Sequence, residues 1–164
     1  VSEEKTDAGD RREVDFTFRE KLNALAEGYR HNLCYQCGAC VGDCPAANYS
    51  DSFNPRLILL KALLGFEDEL ISPLSEIWNC TNCYTCSERC PQDVRPVDVI
   101  IALKNICIAE GKAPDIVYTV SDAVVTAGIT TRVTALIERR RKELGLPPIK
   151  KYPLDDLRKI TGKD

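Results

Sequence analysis

Eight cysteines in this sequence are spaced for metal chemistry. Cys34, Cys37, Cys40 and Cys44, the last followed by Pro45, form one C-x2-C-x2-C-x3-C-P run, and Cys80, Cys83, Cys86, Cys90 and Pro91 repeat it 46 residues later. A run of this kind is a ligand set for cubane iron–sulfur clusters. Three thiolates two residues apart reach three corners of one cage from a single tight loop, and the fourth, a helical turn further on, points to the neighbouring cage. Cys34, Cys37, Cys40 and Cys90 are therefore expected to bind one 4Fe–4S cluster, and Cys80, Cys83, Cys86 and Cys44 a second. An uncrossed pairing keeps the same eight ligands and changes only which run supplies the fourth. The crossed form staples the two runs into one unit, so loss of the clusters is expected to unfold much of it.

Other chemistries fit less well. Structural zinc takes C-x2-C pairs four ligands at a time, and rarely a third cysteine at the same interval with Cys-Pro behind it. The plant-type C-x4-C-x2-C spacing is absent, and a Rieske centre needs two histidines where His31 is the only one. A secreted disulfide scaffold is opposed by the odd total of nine cysteines, by the metal-like spacing and by the lack of a signal-peptide pattern at the start. Thiols that carry clusters must stay reduced, so the expected compartment is the cytoplasm. A net charge of −3 gives no case for nucleic-acid binding. No apolar run approaches the roughly 18–20 residues that span a bilayer, because Lys61, Asp98 and Lys104 interrupt the greasiest stretches. No membrane insertion is expected.

The elements that must hold these cysteines read as helices. Residues 1–13 carry eight charges, five acidic and three basic, and read as a loosely attached tail. Phe18, Leu22, Leu25, Ala26 and Tyr29 recur at helical spacing before the first run. Between the runs, Asn54 is a suitable N-cap, Pro55 a suitable first residue and Gly65 a suitable stop. The helix they bound is apolar on nearly every side, which predicts burial of most of its surface. A second short helix is expected to start at Ser72 and Pro73 and to deliver Trp78 ahead of Cys80. After the second run, 96–110 reads as another apolar helix, followed by 115–127 and 132–144, which end at Gly128 and Gly145. Pro147, Pro148, Lys150, Lys151 and Pro153 then suggest an extended arm leading to a short helix near 154–160. No strand-period run competes, and the fold class is all-α: a dicluster domain with a helical C-terminal extension. The expected division is a tail (1–15), a dicluster 4Fe–4S domain (16–111), C-terminal helices (112–145) and a partner-docking arm (146–164).

The remaining residues take plainer roles. Cys107 reads as a buried core thiol and not a ligand. His31 is expected to cap a turn or lie at the surface. Tyr35, Tyr84 and Trp78 are expected to pack around a cluster, and Gly38 and Gly42 to relieve crowding against one. The charge run 138–143 is read as a solvated helix face, with docking of an acidic partner as the alternative. No phosphate loop, nucleophile–base pair or nicotinamide fingerprint is present, so no catalytic residue is expected.

The paired runs, separated by a mostly helical segment, resemble the α-helical ferredoxin fold. More closely, Cys34-Tyr35-Gln36-Cys37-Gly38-Ala39-Cys40, the stretch from Trp78 to Pro91, and Lys61-Ala62-Leu63-Leu64-Gly65 resemble the iron–sulfur C subunit of heterodisulfide reductase, over roughly residues 18–111. The resemblance implies an electron-transfer subunit with two 4Fe–4S clusters in a cytoplasmic complex. There the flavin-containing, bifurcating A subunit would supply electrons, drawn from a hydrogenase or formate dehydrogenase. The disulfide-reducing B subunit would reduce the mixed disulfide of coenzyme M and coenzyme B. The adjacent-cysteine motifs of that B subunit are absent, so this chain alone is not expected to reduce a disulfide, and 115–132 departs from the tail of the methanogen enzymes. Three readings compete: an iron–sulfur relay of another flavin-dependent dehydrogenase, such as a thiol–fumarate reductase or a glycolate or lactate oxidase; a free ferredoxin; and a non-redox metal-binding module.

Overall fold

Local residue chemistry starts or stops several of the helices seen in the computed structural model, which describes residues 14–25, 30–131, 133–149 and 153–161. The chain divides into two units, 1–113 and 114–164. The first contains α1 (Phe16–Leu25), α2 (Ala39–Gly42), α3 (Pro45–Tyr49), α4 (Pro55–Leu64), α5 (Glu67–Leu70), α6 (Thr85–Glu88) and α7 (Pro96–Ala109). Two short 3₁₀ turns, His31–Leu33 and Glu76–Asn79, precede the two cysteine runs. The second unit contains α8 (Asp115–Ala127), α9 (Ala135–Glu143) and α10 (Asp155–Thr161). No strand occurs among the described residues, and the fold is all-α.

α4 and α7 form the centre of the first unit. Asn54 Oδ1 accepts hydrogen bonds from the Arg56 and Leu57 amides at 3.1 and 3.2 Å, which satisfies two of the free N–H groups that begin α4. α4 buries Ile58, Leu59 and Ala62 against α1, which contributes Phe18 and Leu22, and against α7. Its burial is narrower than its composition predicts, because Leu57 is exposed and Lys61 reaches Glu69 and Glu76 at 3.1 and 2.6 Å. The first half of α7 is enclosed on every side: Val97, Asp98, Val99 and Ile100 are consecutive and all buried, and Leu103, Ile106 and Cys107 continue the core. Cys107 is fully buried, as expected of a packing thiol, and its Sγ lies 3.8 Å from the Leu70 carbonyl oxygen.

Some boundaries differ from expectation. The helix expected at Ser72 and Pro73 is a turn, in which Ser72 Oγ accepts from the Leu74 amide at 3.2 Å. The cap is Ser75, which accepts from Ile77 at 3.4 Å and opens the 3₁₀ turn that carries Trp78. Two serines compete as local caps, and only the second is followed by a residue, Ile77, that the core can bury. α9 begins at Ala135 because the Thr134 hydroxyl accepts from the Ile137 amide at 3.4 Å. The expected tail at 1–13, the continuation of the first helix through Ala26 and Tyr29, Arg132, and Lys150 with Lys151 lie outside the described residues.

In the second unit α8 and α10 pack together, and Val125 is buried. α9 buries none of its residues, and Leu136 is exposed. The charge run is partly self-neutralised: Arg139 and Arg140 both reach Glu143, at 3.1 and 3.3 Å.

Gly65 is irreplaceable for two reasons. Its φ of 79° is left-handed, and a Cβ there would collide with the Asp15 carbonyl group, at the point where the Asp15 amide donates to Leu64 at 3.1 Å. Gly65→Ala is expected to destabilise the first unit by more than the roughly 1–2 kcal/mol that a left-handed alanine alone costs, because α1 must also move. The denaturant midpoint measures this; a loss of only a few tenths would show that α1 docks independently of this contact.

Candidate metal centre

The two cysteine runs fold by one rule. Each starts from a 3₁₀ turn whose last hydrogen bond comes from the first cysteine: Cys34 N to His31 O at 3.1 Å, and Cys80 N to Ile77 O at 3.2 Å. Cys34 and Cys80 have nearly the same backbone, φ −68°, ψ 113° and φ −67°, ψ 122°. The residue before the second cysteine is left-handed in both, Gln36 at 59° and Asn82 at 53°, and so is the one after it, Gly38 at 84° and Tyr84 at 63°. α2 and α6 follow, carrying Cys40 and Cys86. Alternating left-handed residues turn successive N–H groups inward, a concavity that suits anions and cluster sulfurs. Three of these four residues carry side chains that normally avoid this conformation at roughly 1–2 kcal/mol each, strain of the kind that collects at functional sites.

The paired folding brings the thiols into two sets. Cys34, Cys37, Cys40 and Cys90 line one pocket, and Cys44, Cys80, Cys83 and Cys86 line another. Among the described residues no three His, Cys, Asp or Glu side chains close round a point as a single-ion site would require. α4 and α7 stand between the cavities with their N-terminal ends. Pro55 faces the second and Arg56 the first, while Pro96 faces the first and Val97 the second. Both helices thus bring the positive ends of their dipoles to the thiols.

Hydrogen bonds and burial distinguish the thiols. The Val94 amide donates to Cys90 Sγ at 3.3 Å and Gln36 Nε2 donates to Cys34 Sγ at 3.4 Å. The backbones of Asn82 and Val97 bond the sulfurs of Cys80 and Cys86. Burial, with Cys86 and Cys34 nearby, pushes Cys40 up to about 12, and burial pushes Cys86 up to about 11. Cys83 is held below the ordinary thiol value by Thr85, through its hydroxyl and its N–H. Burial also raises Cys80, against the pull of Lys104.

Several expectations change here. His31 is buried, at 2% exposure, and is not a surface residue. Its counterpart in the second turn, Ile77, is also buried, because this position must face α4 or the core if the next cysteine is to face its cavity. Tyr84 lines the second cavity, but Tyr35 is 57% exposed and lines neither. Trp78 packs beside the site and donates from its indole to the Ser72 carbonyl oxygen at 3.1 Å. A Cβ on Gly38 or Gly42 would meet no protein atom within 4 Å. Gly38 also takes a left-handed φ of 84°. Arg56, Phe53, Gln36 and Lys104 were not anticipated. Aligning the two repeats exposes Gln36 opposite Asn82, and Lys104 is the basic interruption in the apolar α7.

Comparison with known proteins agrees with this donor set. Residues 33–94 match the 4Fe–4S dicluster domain, which holds two cubane clusters, and two sets of four thiols are what such a pair needs. The chain is 39% identical over 139 residues to the iron–sulfur C subunit of the CoB–CoM heterodisulfide reductase of Methanopyrus kandleri, covering 80% of this chain and 71% of that one. It is 37% identical to the second such C subunit of Methanocaldococcus jannaschii, covering 77% and 68%. It is also 34% identical over 160 residues to the C subunit of the H2:CoB–CoM heterodisulfide,ferredoxin reductase of Methanothermobacter thermautotrophicus, covering 92% and 85%. With both cysteine runs inside the matched stretch and most of each relative's length covered, this chain belongs to the family of heterodisulfide reductase iron–sulfur C subunits.

Proposed function

We propose that this chain is the electron relay of a cytoplasmic heterodisulfide reductase-type complex. It would accept electrons from a flavin-containing, bifurcating A subunit fed by a hydrogenase or formate dehydrogenase. It would deliver them to the B subunit, which reduces the mixed disulfide of coenzyme M and coenzyme B. One observation carries the reading: the only clustered chemistry among the described residues is the two four-cysteine cavities, held side by side by α2, α6 and the first turns of α4 and α7. Relatives named for H2 and for formate as electron donors support the choice of source. When bound, the clusters supply one-electron acceptance and donation.

The ligand sets proposed are the crossed ones, Cys34, Cys37, Cys40 with Cys90, and Cys80, Cys83, Cys86 with Cys44. The chain's own part is to hold these thiols, point amides at their sulfurs and exclude water with Phe53, Leu59, Val94 and Ile100. No helix among the described residues is long and apolar enough to cross a membrane.

Residues 16–111 form the cluster-bearing part in this reading, 112–145 its helical extension, and 146–164 an arm that docks a partner. Support for docking comes from α9, which buries nothing, and from the concavity beside it where Arg141, Leu146, Pro148 and Ile149 stand together. Native copurification tests both proposals. The full chain is expected to bring down a flavoprotein and a disulfide-reducing protein, and a chain cut after Gly145 to lose at least one of them. A flavin dehydrogenase acting on fumarate or a hydroxy acid as sole partner would overturn the assignment, and undiminished recovery by the cut chain would overturn the arm.

A further inference from the structure

The two cysteine loops share a backbone but differ in what surrounds it. In the first, the left-handed Gln36 turns its own amide to the Cys34 sulfur at 3.4 Å. In the second, the equivalent Asn82 turns its side chain to Lys104. Lys104 Nζ lies 3.3 Å from Asn82 Oδ1 and 3.0 Å from the Cys80 carbonyl oxygen, and sits over the Trp78 ring at 5.9 Å from its centroid. The ammonium is half-buried, and no carboxylate among the described residues pairs with it. Arg56, which lines the first cavity, makes no such bond to a cysteine peptide among the described residues.

We propose that Lys104 sets the reduction potential of the cluster in the second cavity, holding it above the value that the thiolates and their amide donors alone would give. This rests on the reading that Cys44, Cys80, Cys83 and Cys86 hold a 4Fe–4S cluster. Reduction adds one negative charge to the cage, and a fixed cation nearby favours the more negative state. Inside a partly dry site that attraction is screened far less than in bulk water, and local charge and hydrogen bonding are among the terms that set iron–sulfur potentials. Lys104 acts by a second route as well. Its bonds to the Cys80 carbonyl and the Asn82 side chain hold Asn82 at φ 53°, the conformation in which the Asn82 N–H reaches the Cys80 sulfur. It is a positioning residue as well as a charge.

The test is a potentiometric EPR titration of the cluster-loaded full chain and its Lys104→Met, Lys104→Gln and Lys104→Arg variants. The second-cavity signal is identified as the one lost in Cys44→Ser. In Lys104→Met its midpoint is expected to fall, so that at a fixed potential the reduced-to-oxidised ratio drops about tenfold, equivalent to 59 mV for one electron. The other signal should stay in place. Lys104→Gln keeps hydrogen-bond donors without the charge and is expected to fall likewise, whereas Lys104→Arg, always charged, should retain the wild-type midpoint. Should Lys104→Met fail to assemble, the Gln and Arg pair decides the matter. An unmoved midpoint, an equal shift of both signals, or Gln and Arg behaving alike overturns the proposal. Iron content and the presence of two signals in the unaltered chain report separately on the cluster reading. If they are intact while the midpoint is indifferent to Lys104, the role of this lysine fails and the cluster reading stands.

Discussion

Replacing Cys90 by serine is expected to abolish the cluster whose other three ligands belong to the first cysteine run, and to leave the second run's cluster in place. Cys90 lines the cavity with Cys34, Cys37 and Cys40, and not the one lined by the cysteines of its own run. The cause is local. α6 ends at Glu88, so Cys90 leaves the helix on the side away from Cys86 and meets Val94, whose amide holds its sulfur. Cys44→Ser is expected to do the reverse, removing the cluster of Cys80, Cys83 and Cys86. An iron count with EPR of each variant decides the matter. Each single replacement should halve the iron and remove a different signal, because a cubane with three thiolates and a weaker oxygen ligand is readily lost. If Cys90→Ser instead removed the signal that depends on Cys83, the ligation would be uncrossed.

Removing the iron is the larger perturbation. With chelator, the first unit is expected to lose its cooperative unfolding transition and much of its helical circular dichroism. Without the clusters, the two thiol-lined pockets among the helices lose the bonds that join the two cysteine runs. Gln36, Asn82, Tyr84, Asp93 and Arg95 also remain left-handed. At roughly 1–2 kcal/mol for each such residue, that strain is a large part of the 5–15 kcal/mol by which domains are stable. Reassembly should depend on pH in a set direction. Burial holds protons on Cys40 and Cys86 up to about 12 and about 11, above the ordinary thiol value of 9.0, while the ligand form of each is the thiolate. Cluster uptake therefore releases protons, and is favoured as pH rises and opposed as it falls. Iron bound at fixed supply should climb steadily from pH 6 to pH 9; a flat profile would mean that these thiols are already ionised. A chelated chain that kept its cooperative transition would show that the apolar core, not the crossed ligation, holds the unit together.

Several features were legible from residue types alone. The ligand set is written as a spacing, because a loop that must place three thiolates round one cage leaves little freedom between them. Asn54, Pro55 and Gly65 mark the ends of α4 as local chemistry predicts. Gly128 marks the end of α8 just as plainly. Cys107, among isoleucines, is a core residue, as its apolar setting indicates.

Long-range packing decided the rest. Nothing in the neighbourhood of His31 requires burial; that follows from its place in a turn whose next residues must face a cavity. Ser72 and Ser75 look alike as caps until the core accepts Ile77. Lys104 reads as a simple interruption of an apolar helix, and gains its meaning only when α7 lays it across Trp78 and the peptide of Cys80, more than twenty positions away. The eight ligand positions are thus a property of the sequence, since spacing is local. Which of the two pairings that the spacing allows the thiols adopt in their cavities, and what charge stands beside each, belong to the tertiary structure, because only packing sets distances between residues far apart in the chain.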